Sequence, residues 1–260
     1  MRDMDKQTPS SRWHLFHFAA PSTFYPLAGK AIPWFTGLAA LLALIGLWLG
    51  MAVAPGDAQQ GEGYRIIFLH VPTSWMAMFI YIVMAFWSVI HIVWKTRLSA
   101  LMAQALAPTG AWMALMSLVT GALWGKPMWG TWWVWDARLT SMLLLFFLYL
   151  GFIALTRSID DPERSDQAGS ILALVGVFNV PVIYFSVYWW NTLHQGASVS
   201  TKGSSMAAMM LLAMLLMSLA AWMYSIATCL RRVRLLILQR ESTNRWVQEL
   251  PEIANTIKAE

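Results

Sequence analysis

Six long apolar stretches, separated by short polar segments, dominate the pattern of the chain. A transmembrane helix needs about 17 to 25 mostly apolar residues to cross the ~30 Å hydrocarbon core of a bilayer, and each stretch has this length. None of them alternates apolar and polar residues as a half-buried strand does. We therefore predict six transmembrane helices, because an isolated strand would leave its backbone polar groups unpaired in lipid. The predicted spans are 34–53, 72–94, 102–123, 139–156, 168–188 and 206–230.

The first apolar stretch also has features of a signal peptide. Ala52, Val53 and Ala54 are small residues like those of a cleavage site. However, the stretch is longer than the ~7–15-residue apolar region of a signal, and Pro55 would follow the cut at once. We therefore predict a retained helix. The expected fold is an all-α integral membrane protein, a bundle of six transmembrane helices that forms a single domain over residues 1–260.

The basic residues predict the orientation of this bundle. With the N-terminus inside, 14 of the 18 Lys and Arg residues fall in inner segments and four in outer segments. This asymmetry follows the positive-inside rule, so both termini should be cytoplasmic. Three outer segments result, at 54–71, 124–138 and 189–205. The tail, 231–260, starts with an Arg-rich run that is typical of a stop signal and also suits contact with the anionic lipid bilayer.

Composition excludes several classes of function. Hydrophobic residues make up 58% of the chain and charged residues 12%, whereas soluble domains carry about a quarter charged residues. The net charge of +5 does not indicate a nucleic-acid partner, because the basic residues lie between apolar runs. A single cysteine, Cys229, excludes an internal disulfide, a Cys-based zinc site and a C-x-x-C-H haem attachment. No Gly-Lys-Ser/Thr phosphate loop is present, so we predict no ATPase activity by that route.

The second outer segment is unusually rich in tryptophan. Five indoles precede an aspartate, Asp136: they are Trp124, Trp129, Trp132, Trp133 and Trp135. Tryptophan is common at membrane interfaces, but Gly125, Pro127 and Gly130 would let the backbone turn and bring these rings together. Indole faces stack on broad, flat ligands and their N–H groups donate to polar edges. Lipid, quinone and haem all fit this description.

Two histidines narrow the choice of ligand. His70 and His194 fall in the first and third outer segments, whereas His14, His17 and His91 fall on the inner side. Neutral imidazole is an axial ligand of haem iron, and two histidines suffice because the porphyrin supplies four nitrogens. Among the outer cations, Arg65 and Arg138 suit the anionic propionates. Asp136 could orient an indole N–H or pair with Arg138. No partner nucleophile is evident, so we do not expect Asp136 to be an acid–base catalyst, and we predict a binding subunit instead of an enzyme.

The run Trp129-Gly-Thr-Trp-Trp-Val-Trp-Asp136 resembles the tryptophan-rich signature of the haem-handling membrane proteins of cytochrome c maturation. With 64–72 and 189–196, it makes residues 32–238 resemble the haem exporter protein C family. The resemblance implies that His70 and His194 are the external axial ligands and that 124–136 contact the haem. It also implies that the protein lies in the inner membrane of a bacterium and that transiently bound haem b is presented, on the periplasmic side, to a membrane-anchored haem chaperone. The implied neighbours are ATP-binding-cassette transporter subunits and a small single-span subunit.

The sequence is therefore compatible with three classes of function. The first is a haem delivery subunit that binds and presents its ligand. The second is a membrane redox subunit with an outer-face haem or quinone, against which the absence of mid-membrane histidine pairs counts. The third is a passive transporter or assembly subunit whose aromatic segment contacts protein or lipid. Haem that moves to the chaperone would favour the first class, and a stable, reversibly reducible haem the second.

Overall fold

The computed structural model describes residues 20–190, 199–200 and 203–250. His194, one of the two predicted iron ligands, lies outside the described residues, as do His14, His17 and Lys202.

The described chain is helical apart from short connections and one small hairpin. Its helices are α1 (Pro21–Trp48), α2 (Ile67–Trp94), α3 (Arg97–Trp129), α4 (Ala137–Ser158), α5 (Pro162–Gly176), α6 (Asn179–Trp189), α7 (Ala208–Arg240) and α8 (Arg245–Gln248). A π-helical turn, Leu49–Val53, ends the first helix, and a 3-10 turn, Glu62–Ile66, leads into the second. In the hairpin, β1 (Val199–Ser200) pairs with β2 (Gly203–Ser204) in antiparallel register.

The predicted number of spans is confirmed. Within the described ranges, six segments are long and apolar enough to cross a membrane. The helices extend further than the predicted spans: the first begins at Pro21 and the last ends at Arg240. Residues 231–240, the start of the predicted tail, therefore continue α7. The difference arises because hydropathy marks only the part of a helix that lies in hydrocarbon, whereas polar residues are tolerated where the helix continues into the interface.

Two predicted boundaries at the tryptophan-rich segment are wrong. Trp124–Trp129 form the last turns of α3 instead of a loop, and the second helix begins at Ile67 instead of residue 72, so that His70 lies in the first turn of α2. Of the three residues expected to turn the backbone, only Gly130 does so. It has a left-handed φ of 78°, and its N–H donates to the Lys126 carbonyl at 3.0 Å. This is the common way for glycine to end a helix.

The fifth span, predicted as one helix over 168–188, is divided in the structure. α5 ends at Gly176 and α6 begins at Asn179. Pro181 explains the break, because it has no N–H and its ring would clash with the carbonyl four residues earlier in a continuous helix. The Asn179 side chain donates from Nδ2 to the Ser141 carbonyl of α4 at 2.8 Å, which holds the break against the neighbouring helix.

Close packing of small residues holds the bundle together. α1 runs along α7 and α2 runs along α3, which also contacts α4 and α7. Small buried residues repeat along α3, and close approach of helices in membranes depends on such residues. They include Ala100, Ala103, Ala107, Ala111 and Ala114. Tyr149 of α4 adds a buried hydrogen bond to the Ala77 carbonyl of α2 at 2.7 Å.

The two ends of the bundle differ in their contents. Tyr25, near the start of α1, packs against Trp246 beyond the end of α7, with ring centroids 6.0 Å apart, and lies under the Arg234 guanidinium. The described chain ends therefore meet at one end, which we call the terminal end. His70 and Trp124 lie at the opposite end, which we call the tryptophan end.

Candidate functional site

A large cavity opens at the tryptophan end. Its volume is about 1480 Å³, and its walls come from α2, α3, α4, α6, α7 and the loop at 55–60. Typical pockets for small molecules measure ~300–1,000 Å³. Four predicted site residues line this cavity: His70, Trp124, Trp129 and Arg138. The structure thus brings together four of the nine described residues that are predicted from sequence as haem contacts or iron ligands. The other five, Arg65, Trp132, Trp133, Trp135 and Asp136, do not line the cavity.

The cavity extends far along two of its helices. On α2 its wall runs from Ile67 to Ile82, and on α7 from Met210 to Trp222. At 1.5 Å per residue these walls are roughly 22 and 18 Å long, a large part of a ~30 Å hydrocarbon core. Phe79 and Trp222 stack on each other near the deep end, with centroids 4.8 Å apart. The deep part is therefore apolar and aromatic.

The position of His70 is set by three residues of α3. Its Nδ1 lies 3.0 Å from the Thr120 hydroxyl, and its ring meets the Trp124 ring edge-to-face at a centroid distance of 5.6 Å. Gly121 leaves room for the imidazole, because a Cβ there would stand 3.0 Å from the His70 Cε1. The half-buried imidazole thus lies in a fixed place on the cavity wall.

Trp124 connects the helices to the loop at 55–60. Its Nε1 donates to the Gln60 side-chain oxygen at 3.0 Å, and its ring lies 6.1 Å from the Trp129 ring at an interplanar angle of 34°. The Tyr64 hydroxyl donates to the Pro55 carbonyl at 2.7 Å at the other end of this loop. Two indoles and an ordered loop therefore form the mouth of the cavity beside His70.

The two predicted arginines have different environments. The Arg65 guanidinium donates to the carbonyls of Gly50 and Ala54, where the first helix ends, and pairs with Glu62 at 2.5 Å. Arg138 lines the cavity, and its guanidinium makes no hydrogen bond or ion pair with any residue that the structure describes. An Arg binds a carboxylate through two parallel N–H groups. The geometry therefore favours Arg138 over Arg65 as the residue for an anionic ligand group.

The rest of the tryptophan signature lies beside the cavity. Trp132 and Trp135 are 55% and 76% exposed. Trp133 packs edge-to-face on Trp135 at 5.4 Å, and its buried Nε1 has no hydrogen-bond partner among residues 20–190 and 203–250. Asp136 caps α4 by accepting the Leu139 N–H at 2.8 Å. These aromatic side chains thus form an outer surface next to the mouth, and the aspartate fixes the helix that carries Arg138.

Sequence reasoning misses five residues around His70. They are Gln60, Ser74, Ser117, Thr120 and Gly121. A signal for three of them is present, because residues 117, 120, 121 and 124 follow the i, i+3, i+4, i+7 spacing of one helix face. Because the predicted third helix ends at residue 123, the prediction leaves Trp124 out of that face. Gln60 gives no comparable signal, since its contact depends on the fold of a loop.

The described residues fit a porphyrin better than a bare metal ion. No group of three His, Cys, Asp or Glu that could hold a metal occurs in the part of the chain that the structure describes. The cavity instead offers apolar walls, flat indoles, one imidazole and one cation. A porphyrin needs only axial ligands, because it supplies four nitrogens itself. The residues present therefore suit a large, flat, anionic tetrapyrrole.

Comparison with known proteins gives one consistent result. The family model described as "Heme exporter protein C" matches residues 14–248. The chain is 45% identical over 240 residues to heme exporter protein C of Escherichia coli strain K12, covering 92% of this chain and 97% of the relative. It is 44% identical over 248 residues to the protein of that name from Haemophilus influenzae, covering 95% and 100%. The relative from Bradyrhizobium diazoefficiens is 45% identical over 227 residues, covering 87% and 86%.

Proposed function

We propose, from the premise that the chain belongs to the haem exporter protein C family, that it binds haem at the tryptophan end and delivers it to a membrane-anchored haem chaperone. Haem is the cargo of this reaction, and the chain makes or breaks no bond itself. The observation that carries the proposal is the convergence of His70, Trp124, Trp129 and Arg138 on one cavity. Sequence similarity supports haem handling in cytochrome c maturation, and the cavity supports the place where it happens.

Each cavity residue has a role that follows from its chemistry. The His70 imidazole would bind the iron, and His194 is the proposed second axial ligand. The indoles of Trp124 and Trp129 would contact the flat porphyrin surface, because large aromatic faces stack favourably. Arg138 would bind a propionate. We retain Trp132, Trp133 and Trp135 as proposed contacts at the outer edge, where the chaperone must reach its cargo.

Transfer requires a site that holds haem firmly and still gives access to a partner. The exposed rings of Trp132 and Trp135 provide an accessible surface beside the mouth of the cavity. Aromatic residues of this kind are enriched at protein interfaces. We propose that the chaperone docks here. We also propose that transporter subunits with ATP-binding cassettes and a small single-span subunit bind elsewhere on the bundle, in keeping with the name heme exporter protein C that the relatives carry.

The proposed orientation places the tryptophan end in the periplasm of a bacterium and the terminal end in the cytoplasm. Of the described Lys and Arg residues, ten lie toward the terminal end and three, Arg65, Lys126 and Arg138, toward the tryptophan end. This distribution supports the orientation through the positive-inside rule.

Labelling with a membrane-impermeant maleimide tests the orientation. The native Cys229 is buried, and Cys229→Ser removes its background. In that background, Gln59→Cys should react in intact spheroplasts, whereas Glu163→Cys should react only after lysis. The opposite pattern would place the haem site on the cytoplasmic side and refute the proposal.

The function is tested by following haem in nanodiscs that contain the full-length protein. Haem is added, the binding is titrated by absorbance, and the purified chaperone is then added to capture it. His70→Ala and Trp124→Leu should each weaken binding by about 10-fold or more and reduce loading of the chaperone. His91→Ala and Trp112→Leu are matched controls, because His91 bonds the Thr96 carbonyl at the terminal end and Trp112 is an exposed residue of α3 outside the cavity.

Three results would contradict the proposal. Normal chaperone loading by both site variants would show that haem delivery does not depend on the cavity. A stoichiometric haem that is reversibly reduced and never passes to the chaperone would favour a redox subunit with haem or quinone. Absence of any saturable haem binding would favour an assembly subunit.

A further inference from the structure

The hydroxyl of Thr120 connects two elements at the site. Its Oγ1 lies 2.6 Å from the Met116 carbonyl, one turn earlier in α3, and 3.0 Å from the His70 Nδ1 of α2. A threonine hydroxyl has one proton to donate and lone pairs that accept. A carbonyl can only accept, so the short contact with Met116 uses that proton. The contact with His70 must then be donated by the imidazole.

We propose that Thr120 is a positioning residue that fixes the tautomer of His70 for haem. The inference rests on the proposed function, since it concerns the same imidazole. With the proton held on Nδ1, the lone pair of a neutral imidazole is on Nε2, and a metal binds only an unprotonated nitrogen. Thr120 thereby selects the nitrogen that is offered to iron. Partners of this kind orient metal-binding histidines and raise their basicity.

The surroundings of Thr120 support a fixed geometry. Thr120 is buried, so water does not compete effectively for its hydroxyl. Ser74 donates to the His70 carbonyl at 2.7 Å and lies 2.6 Å from the Ser117 hydroxyl, which joins α2 to α3 one turn from the ring. Both the backbone and the imidazole of His70 are therefore held against α3. Rotation of the ring would break the contact with Thr120.

The hydrogen bond has a predictable effect on bound haem. An imidazole that donates from Nδ1 has more electron density on Nε2 and is a stronger ligand, particularly for ferric iron. Loss of the acceptor should weaken haem binding and make the reduction potential of the bound haem more positive. A residue with only a packing role would not change the potential in this direction when its volume is preserved.

Two substitutions of Thr120 separate the hydroxyl from its volume. Thr120→Val keeps the shape and removes the acceptor, whereas Thr120→Ser keeps the hydroxyl. Thr73→Val is the matched control, because the Thr73 hydroxyl bonds, among the described residues, only the Leu69 and His70 carbonyls of its own helix. In nanodiscs, Thr120→Val should bind haem about 10-fold more weakly with a more positive potential. Thr120→Ser and Thr73→Val should match the wild type, and equal values for all four proteins would overturn the proposal.

A measurement without haem makes the test independent of how well the variants fold. In wild-type protein labelled with ¹⁵N-histidine, nuclear magnetic resonance should show the proton of His70 on Nδ1. A proton on Nε2 would overturn the inference whatever the variants do. His70→Ala separates the two proposals. If it loses haem while Thr120→Val does not, only the role of Thr120 fails; if it binds haem normally, the ligand assignment fails too.

Discussion

Replacing each of two arginines by glutamine should separate folding from haem binding. Arg65 donates to the carbonyls of Gly50 and Ala54, and its partner Glu62 is 72% exposed. A hydrogen bond to a charged group contributes about 1.5–3 kcal/mol, whereas an exposed ion pair contributes about 0–1 kcal/mol. Allowing for the bonds that glutamine can still make, Arg65→Gln should lower the Tm by roughly 6–12 °C for a chain of this size.

Arg138→Gln should have the opposite profile. Its half-buried guanidinium makes no hydrogen bond with the described residues, so Arg138→Gln should change the Tm much less than Arg65→Gln does. A paired contact with a propionate is charge-assisted and contributes about 1.5–3 kcal/mol. Its loss should weaken haem binding about 10- to 100-fold. Arg65→Gln, measured well below its Tm, should keep its haem affinity within about threefold.

The assay combines thermal unfolding, followed by tryptophan fluorescence, with haem titration of the same samples. The double variant should show both effects added together, because the two side chains share no partner. The reasoning is refuted if Arg65→Gln loses haem affinity at an unchanged Tm, or if Arg138→Gln melts early and binds haem normally.

Three further predictions concern residues that set the geometry of the fold. Gly121→Leu should push the His70 ring from its place and weaken haem binding by about 10-fold or more in titration, and Gly121→Ala should cause a smaller loss. Unchanged binding in both variants would show that the close approach of Gly121 to His70 is unimportant. Asp136→Ala should lower the free energy of unfolding by about 1 kcal/mol through loss of a helix cap, and Asp136→Ser should restore most of this loss. Weaker haem binding at an unchanged Tm would instead indicate a direct contact between Asp136 and haem. Asp166→Asn should destabilise the protein by about 3 kcal/mol, because Arg240 loses a carboxylate partner that is 5% exposed. The haem affinity of this variant should equal that of the wild type.

The six spans could be predicted because their signal is local. Each apolar stretch is long enough by itself to require a helix in lipid. The end of α3 could not be predicted in the same way, because Gly125 and Pro127 are common in turns and yet lie within its last turns. Only Gly130 ends the helix. Aromatic, glycine and proline residues at an interface therefore leave the helix boundary undetermined.

The roles of the two outer arginines depend on tertiary structure. Arg65 bonds a carbonyl 15 residues earlier in the chain, a contact that requires the turn between α1 and α2 to be known. Nothing in composition or spacing distinguishes it from Arg138. Thr120 lies 50 residues from His70, so its hydrogen bond likewise appears only after α2 and α3 are packed together.

The His70 imidazole is the proposed iron ligand on which haem binding depends, and a cavity variant with chemical rescue tests this role. His70→Gly is purified in nanodiscs, ferric haem is added, and electron paramagnetic resonance reports the spin state with and without free imidazole. We expect His70→Gly to lose the low-spin signal of the wild type and to regain it when imidazole enters the vacated space. A low-spin signal in His70→Gly that equals the wild type and does not respond to imidazole would contradict the assignment.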